Sequence, residues 1–436
     1  VPARKVDSAV FGILDSLRTG LWFIPTLFLV GAIVLSRITL AIDRNADLSD
    51  FPVRFIGDID TATAVLATIS AELMTFTGLI FTVTVVALQL ASSQFSPRVL
   101  STFLRDRGTQ VCLGIFVATF TYALLVLADV RTHPDEGPLI PTLSMSVAIG
   151  LALASIGAFI FYAHSISQHL RVARLVETVA KAGAEEILST HDTHDTVRHG
   201  PWAAPGPPDA VILHEHRSGV LASLDMDDLV VEARKADCVL RLVPGIGDYV
   251  GTGYPLFEVY AYEGGRPDAV SHRHVEHHAA FRAERTMRQD TGFALRQLVD
   301  IAERALSPAI NDPTTAVQAI DRVEELLRLI VTRPLHDGVH VDQDDVVRFV
   351  HLAPTWEGYV QLAFTEIRHY GNSSFQVQRR LRSMAERLLA LAPLERQAVL
   401  QLQLTLLDFE IDSLFAVHDR AAARASDPAG MGVYDR

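Results

Sequence analysis

The sequence predicts an α-helical membrane domain of four transmembrane helices joined to a cytoplasmic α+β region, in which a small β module is followed by a helical domain. Three observations carry this prediction. The chain of 436 residues is 49% hydrophobic and only 20% charged, with a mean hydropathy of +0.24, whereas soluble chains run near 25% charged. Four apolar stretches, about Leu21–Ile42, Ala62–Leu90, Val111–Ala128 and Leu139–Ala163, approach or exceed the ~20 residues that cross a bilayer as helix. Charge is also uneven. Residues 1–170 hold 10 basic and 12 acidic side chains, and the remainder 28 and 39, a balance of −11.

Composition excludes two classes. Two cysteines, Cys112 and Cys238, cannot make a disulfide scaffold. A net charge of −13 opposes nucleic acid as a partner, because neutralising phosphates requires excess Lys and Arg. The first apolar stretch is too long for a signal-peptide core, and Trp22 heads it as an interfacial anchor. Basic residues gather before the first stretch (Arg4, Lys5, Arg18), between the second and third (Arg98, Arg105, Arg107) and after the fourth (Arg171, Arg174, Lys181). The other two connections are acidic, with Asp43, Asp47, Asp50, Asp58 and Asp60 in one and Asp129, Asp135 and Glu136 in the other. The positive-inside rule then places both termini in the cytoplasm.

The second stretch carries a polar row. Thr61, Thr68, Thr75, Thr82, Gln89 and Ser96 recur every seven residues, nearly two helical turns, and so form one slowly drifting stripe. Glu72 lies on the same side, and Thr63, Ser70, Thr77 and Thr84 form a second row roughly opposite. Two readings are open. The hydroxyls can bond back to their own helix or to neighbouring helices. Alternatively Thr68, Glu72, Thr75, Thr82, Gln89 and Ser93 line a hydrated path with Glu72 as an ion or proton site, since an intramembrane carboxylate normally faces a bundle interior or water. Twenty-nine residues make a helix of about 44 Å, which must tilt or project beyond the bilayer. Arg98, Arg105 and Arg107 form a basic collar at the inner mouth in that arrangement, or ordinary anchoring without it.

The fourth stretch continues as an amphipathic helix to about Leu188, giving a membrane domain over 1–188. Residues 189–208, with Gly200-Pro-Trp-Ala-Ala-Pro-Gly-Pro-Pro208, read as a linker. Alternation in Ala210–His214, Gly219–Leu224, Cys238–Val243, Tyr249–Val250 and Pro255–Tyr260 marks strands, with helical spacing in Met226–Lys235, and gives a β-rich module over 209–270. The run Val243–Val259 resembles the compact β-sandwich of biotinyl and lipoyl carriers. The chain's only lysines are Lys5, Lys181 and Lys235, so the hairpin has no residue to modify and no swinging arm is expected.

Residues 271–426 read as a helical domain and 427–436 as a loose tail, with helical patterns over 279–332 and 354–425. At its start His272, His274, His277 and His278 cluster with Glu276. His274 and His278, spaced i, i+4, are weak candidate metal ligands; a solvated helix start is the commoner source of such a cluster. In Ala305–Ala316, Asp312 is a good N-cap and Pro313 fits the first helical position. Arg285, Asp290, Arg296, Asp300, Ser307, Asn311 and Asp312 can otherwise be drawn as a buried polar network or ligand site. No phosphate-binding glycine loop, HExxH helix or Cys–His pairing is present, so neither a catalytic centre nor a cofactor is expected. His351 and Glu366–His369 can be drawn together, as can many pairs among seventeen histidines.

Two motifs carry a family likeness. Thr84-Val-Val-Ala-Leu-Gln-Leu-Ala-Ser-Ser-Gln-Phe-Ser-Pro-Arg98 together with Arg296-Gln-Leu-Val-Asp-Ile-Ala-Glu-Arg-Ala-Leu-Ser-Pro-Ala-Ile-Asn-Asp-Pro-Thr-Thr-Ala316 resembles a bacterial family of predicted membrane proteins, DUF2254, over nearly the whole chain. The resemblance implies a four-span inner-membrane protein with a large cytoplasmic part, and supplies no activity. The functional expectation is an oligomeric ion channel or passive transporter for ions or small solutes, since four helices make a thin wall for a pore within one chain. A membrane-anchored scaffold or sensor that binds a partner or small ligand is the alternative. The partners expected are the lipid bilayer and further copies of the chain.

Overall fold

A computed structural model describes residues 22–45, 58–94, 107–132, 141–169, 172–191 and 200–432. The chain divides into two compact units, residues 1–171 and 172–436.

Among the described residues, the first unit contains four helices long and apolar enough to cross a membrane: α1 (Phe23–Asn45), α2 (Ile59–Gln94), α3 (Arg107–Thr132) and α4 (Thr142–His169). Of their apolar spans, that of α3 is the most buried and that of α2 the least. Leu40, Ala62, Leu66, Ala118, Tyr122, Val126 and Met145 form one packed layer, and Leu73, Ile80, Phe116, Ala158 and Tyr162 a second. Polar groups tie the helices together where burial makes each bond count. The Tyr122 hydroxyl meets Thr39 Oγ1 at 2.8 Å and donates to the Ser144 carbonyl, while Tyr162 meets Thr84 at 2.8 Å and Thr119 meets Ser155 at 3.0 Å. Asp43, at the end of α1, accepts the backbone N–H groups of Leu143 and Ser144 (both 2.9 Å) and the Ser144 hydroxyl (2.6 Å). It therefore caps the first turn of α4 from another helix, against the positive end of that helix's dipole.

The second unit begins with α5 (Val172–Thr190). Its Leu175, Val176, Val179, Ala180, Gly183 and Ile187 are buried, so the amphipathic segment expected as an extension of the membrane domain to residue 188 packs within the second unit instead. The reason is that face. It docks on α8 (Thr291–Ala305) and α9 (Pro313–Val331).

Two sheets follow. Strands β1 (Ala210–Leu213), β5 (Pro255–Ala261) and β3 (Cys238–Leu242) run antiparallel to one another, β8 (Val347–Val350) joins β3 in parallel, and β7 (Val339–Val341) closes the edge antiparallel to β8. The smaller sheet has the order β4 (Tyr249–Val250), β2 (Gly219–Leu224) and β6 (Ala279–Arg282). Ile212, Leu221, Leu240, Leu256, Phe257, Val259 and Phe349 share one core with Leu229 of α6 (Met226–Ala236) and Val275 of α7 (His272–His277). A β-rich module is present, but it is not confined to 209–270. It borrows β6 from a segment read as helical and β7 and β8 from inside the expected helical domain: β8 satisfies the backbone groups on the edge of β3 that β5 leaves open, and β6 does the same for β2.

Helices α8, α9, α10 (Trp356–Tyr370), α11 (Phe375–Leu389) and α12 (Leu394–Leu414) make the remaining layer. Asp290, Asp312, Thr355 and Ser374 cap α8 to α11 in turn. Arg380, 2% exposed, is held by Asp321 (2.7 Å) and Glu324 (2.6 Å), and Arg396 donates to the carbonyls of Ile330, Val331 and Arg333, closing the end of α9. Residues 427–432 of the expected loose tail include buried Asp427, whose side chain accepts the N–H of Ala429 (2.9 Å) and of Gly432 (2.5 Å).

Candidate functional site

The least buried helix carries the most polar face. Buried Ala62, Leu66, Ser70, Leu73, Ile80 and Ala87 turn α2 toward its neighbours, and the periodicity of a helix then turns Thr61, Thr68, Thr75, Thr82 and Gln89 away from them. All five are exposed, as is Glu72. Ala64, Ala71 and Gly78 recur at the same interval of seven and are also exposed; a Cβ on Gly78 would meet nothing within 4 Å. Hydroxylated and small residues thus alternate in steps of three and four, the spacing of a close helix–helix seam. Leu79 and Val86 share this face, and Met74 and Phe81 flank it.

The hydroxyl hydrogens stay within the helix. Thr68, Thr75 and Thr82 donate to the carbonyls of Ala64, Ala71 and Gly78 at 2.8, 3.1 and 2.9 Å. Their oxygens remain as acceptors on the surface. The opposite row also donates to its own helix's carbonyls but faces inward: Ser70 is buried, and Thr84 meets the Tyr162 hydroxyl of α4. Glu72 lies one residue from the middle of the apolar span Ile59–Ala87. A carboxylate there, on an open face, requires water or another chain against it. A shallow groove lined by Asp60, Thr61, Ala64, Val65, Thr68 and Ile69 runs along the start of the same face. In the expected collar, Arg107 opens α3 and is exposed; Arg98, Arg105 and the side chain of Ser93 lie outside the described residues.

The residues drawn as one cytoplasmic network separate into three groups along α8. At its start Asp290, buried, accepts from Phe293 N as N-cap and is held by Arg285 at 2.5 Å. Burial pushes the Asp290 carboxyl up, against the opposing pull of Arg285. In the middle Arg296 binds Asp300 (2.5 Å), Glu303 (3.1 Å) and Glu366. Beyond its end Ser307 donates to the Arg304 carbonyl, Asn311 takes a left-handed φ of 48°, and Asp312 accepts from Thr314 N, Thr315 N and the Thr315 hydroxyl. The last group is helix punctuation. Pro308, Ala309, Ile310 and Asn311 are exposed around it.

The histidines also regroup. His274 is exposed, and His278 faces Asp225 and Asp228 rather than His274. Glu276 turns inward to His214 (2.8 Å) and the N–H groups of Glu215 and His216, a structural anchor. Three others converge: the ligand nitrogens of His336, His340 and His351 all lie within 4.8 Å of one another. The β7–β8 hairpin assembles them. Gly338, at φ +79°, accepts the His351 N–H at 2.9 Å, and a Cβ on it would fall 2.1 Å from the His351 carbonyl oxygen. Glycine is what allows that approach. The rings of His336 and His340 stack at 4.6 Å and those of His340 and His351 at 5.2 Å, over buried Phe349. Burial holds the His351 imidazole below its usual range. His191, 5% exposed, is pushed down to about 4 by burial and then by the charges of His336, Arg333 and Arg396. Sequence spacing hides the three-histidine group because only the hairpin aligns positions 336, 340 and 351.

Comparison with known proteins agrees with the membrane unit. The family described as "Predicted membrane protein (DUF2254)" matches residues 18–387. Uncharacterized proteins of Mycobacterium tuberculosis and Mycobacterium bovis are 34% identical over 372 residues, covering 83% of this chain and 70% of each relative. No solved structure matches the chain.

Proposed function

We propose, from the premise that this chain belongs to the DUF2254 family of predicted membrane proteins, that it acts as a homo-oligomeric passive path for ions or small solutes across the bacterial inner membrane. The outward face of α2 carries the reading. Copies of α2 approach one another through Ala64, Ala71 and Gly78, where small side chains permit close approach, and turn the Thr68, Thr75 and Thr82 hydroxyls to water at the axis. Closed rotational symmetry gathers one Glu72 per copy beside the axis, and a ring of carboxylates selects for cations. Both termini and the second unit lie on the cytoplasmic side in this reading, following the basic residues beside the spans. No catalytic step is assigned.

Reconstituted protein is expected to conduct monovalent cations and to run as an oligomer in mild detergent. Glu72→Gln should lower cation flux at least several-fold while leaving the oligomer intact. Absent flux from wild type and variant alike, with monomers in detergent, refutes the proposal. The second reading, a membrane-anchored scaffold, draws on α12. Its Leu394 and Phe409 are 83% and 70% exposed, an apolar surface suited to a protein partner.

A further inference from the structure

We propose that His336, His340 and His351 form a binding site for one divalent transition-metal ion of the zinc class. The inference is independent of permeation. Three imidazoles brought together from a loop, an edge strand and a strand end supply the donor type that Zn²⁺, Ni²⁺, Co²⁺ and Cu²⁺ prefer and that Mg²⁺ and Ca²⁺ do not. The hydrogen bonds also set the ring nitrogens. His351 Nδ1 lies 3.1 Å from the Leu352 carbonyl, an acceptor only, so it carries the hydrogen and leaves Nε2 with a lone pair. That backbone partner is a common outer support of metal-bound histidine. His336 Nδ1 accepts the Gly338 N–H at 2.8 Å, so this nitrogen too is unprotonated and releases the amide when it takes a metal.

Tetrahedral coordination at about 2.0–2.1 Å brings ligand nitrogens to about 3.3 Å apart. Rings whose nitrogens already lie within 4.8 Å reach this by side-chain rotation, without moving the hairpin. All three side chains are half-buried, so an ion reaches them from solvent, and Phe349 closes the floor beneath His340 and His351. Three protein ligands leave a fourth position for water or a small anion, as in open zinc sites. The exposed His272, His274 and His277 supply the internal control.

The test uses the tag-free full chain in detergent, stripped with a chelator and titrated with Co²⁺ alone. Uptake is expected to saturate at one ion per chain with the visible spectrum of nitrogen coordination. His340→Gln and His351→Gln should each weaken it at least tenfold, and His274→Gln should leave it unchanged. X-ray absorption of wild type loaded with Zn²⁺ keeps the test decisive if a variant fails to fold, and should show at least three imidazoles around the metal. No saturable uptake by wild type, undiminished binding in folded His340→Gln and His351→Gln, or an oxygen-only shell around zinc would overturn the assignment.

Discussion

Asp43 and Glu72 are both carboxylates of the apolar unit, and their surroundings give them opposite functions. Asp43 is enclosed by three donors at the start of α4, and its charge is used up in holding two helices together. Glu72 stands on an open face one residue from the middle of its span. Sequence alone placed Asp43 in an acidic connection, because its donors lie about a hundred residues away. Asp312, whose donors are two and three residues on, was legible as a cap. His191 yields a titration prediction. Its imidazole stays neutral in the fold down to about 4, against an ordinary 6.5, so the unfolded chain takes up the proton first as pH falls. Stability is full above pH 6.5 and declines toward pH 4, by at most about 3 kcal/mol from this group. With a chelator present, thermal unfolding of His191→Phe should lose less stability than wild type over that interval. Equal losses would contradict the assignment.

Among the elements, local patterns were legible and their partnerships were not. Strands β1 to β5 and α6 follow from alternation and turn residues within short windows. Residues 279–282 read as helix from sequence, yet their backbone pairs antiparallel with β2; a four-residue segment cannot declare its period. Helix α5 was legible as an amphipathic helix, but not that its apolar stripe packs on α8 and α9 within the second unit. The contact is close at Gly183, where a Cβ would lie 2.5 Å from that of Ala294 and 3.1 Å from Leu326. Gly183→Val should therefore cost about 1–3 kcal/mol by overpacking, seen as a lower melting temperature of the full chain in detergent. An unchanged melting temperature would mean that α5 does not dock as described.

For the whole molecule, the four-span count and the division into a membrane unit and a second unit were legible because bilayer thickness and charge act on long stretches. The outward placement of the α2 seam was not, since it depends on which face α1, α3 and α4 leave uncovered. The small residues Ala64, Ala71 and Gly78 were signals of that seam available in the sequence. The central claim is that this uncovered face meets water within an assembly of copies. Single cysteines at Thr75 and Thr82, compared with Met74 and Phe81, exposed at 61% and 59% on the flank, test it in native membranes with a membrane-impermeant thiol reagent, in a chain that carries Cys112→Ala and Cys238→Ala. Reaction of Thr75→Cys and Thr82→Cys with protection of Met74→Cys and Phe81→Cys is the predicted result; protection of all four would place the face in lipid or in dry protein contact and contradict the account.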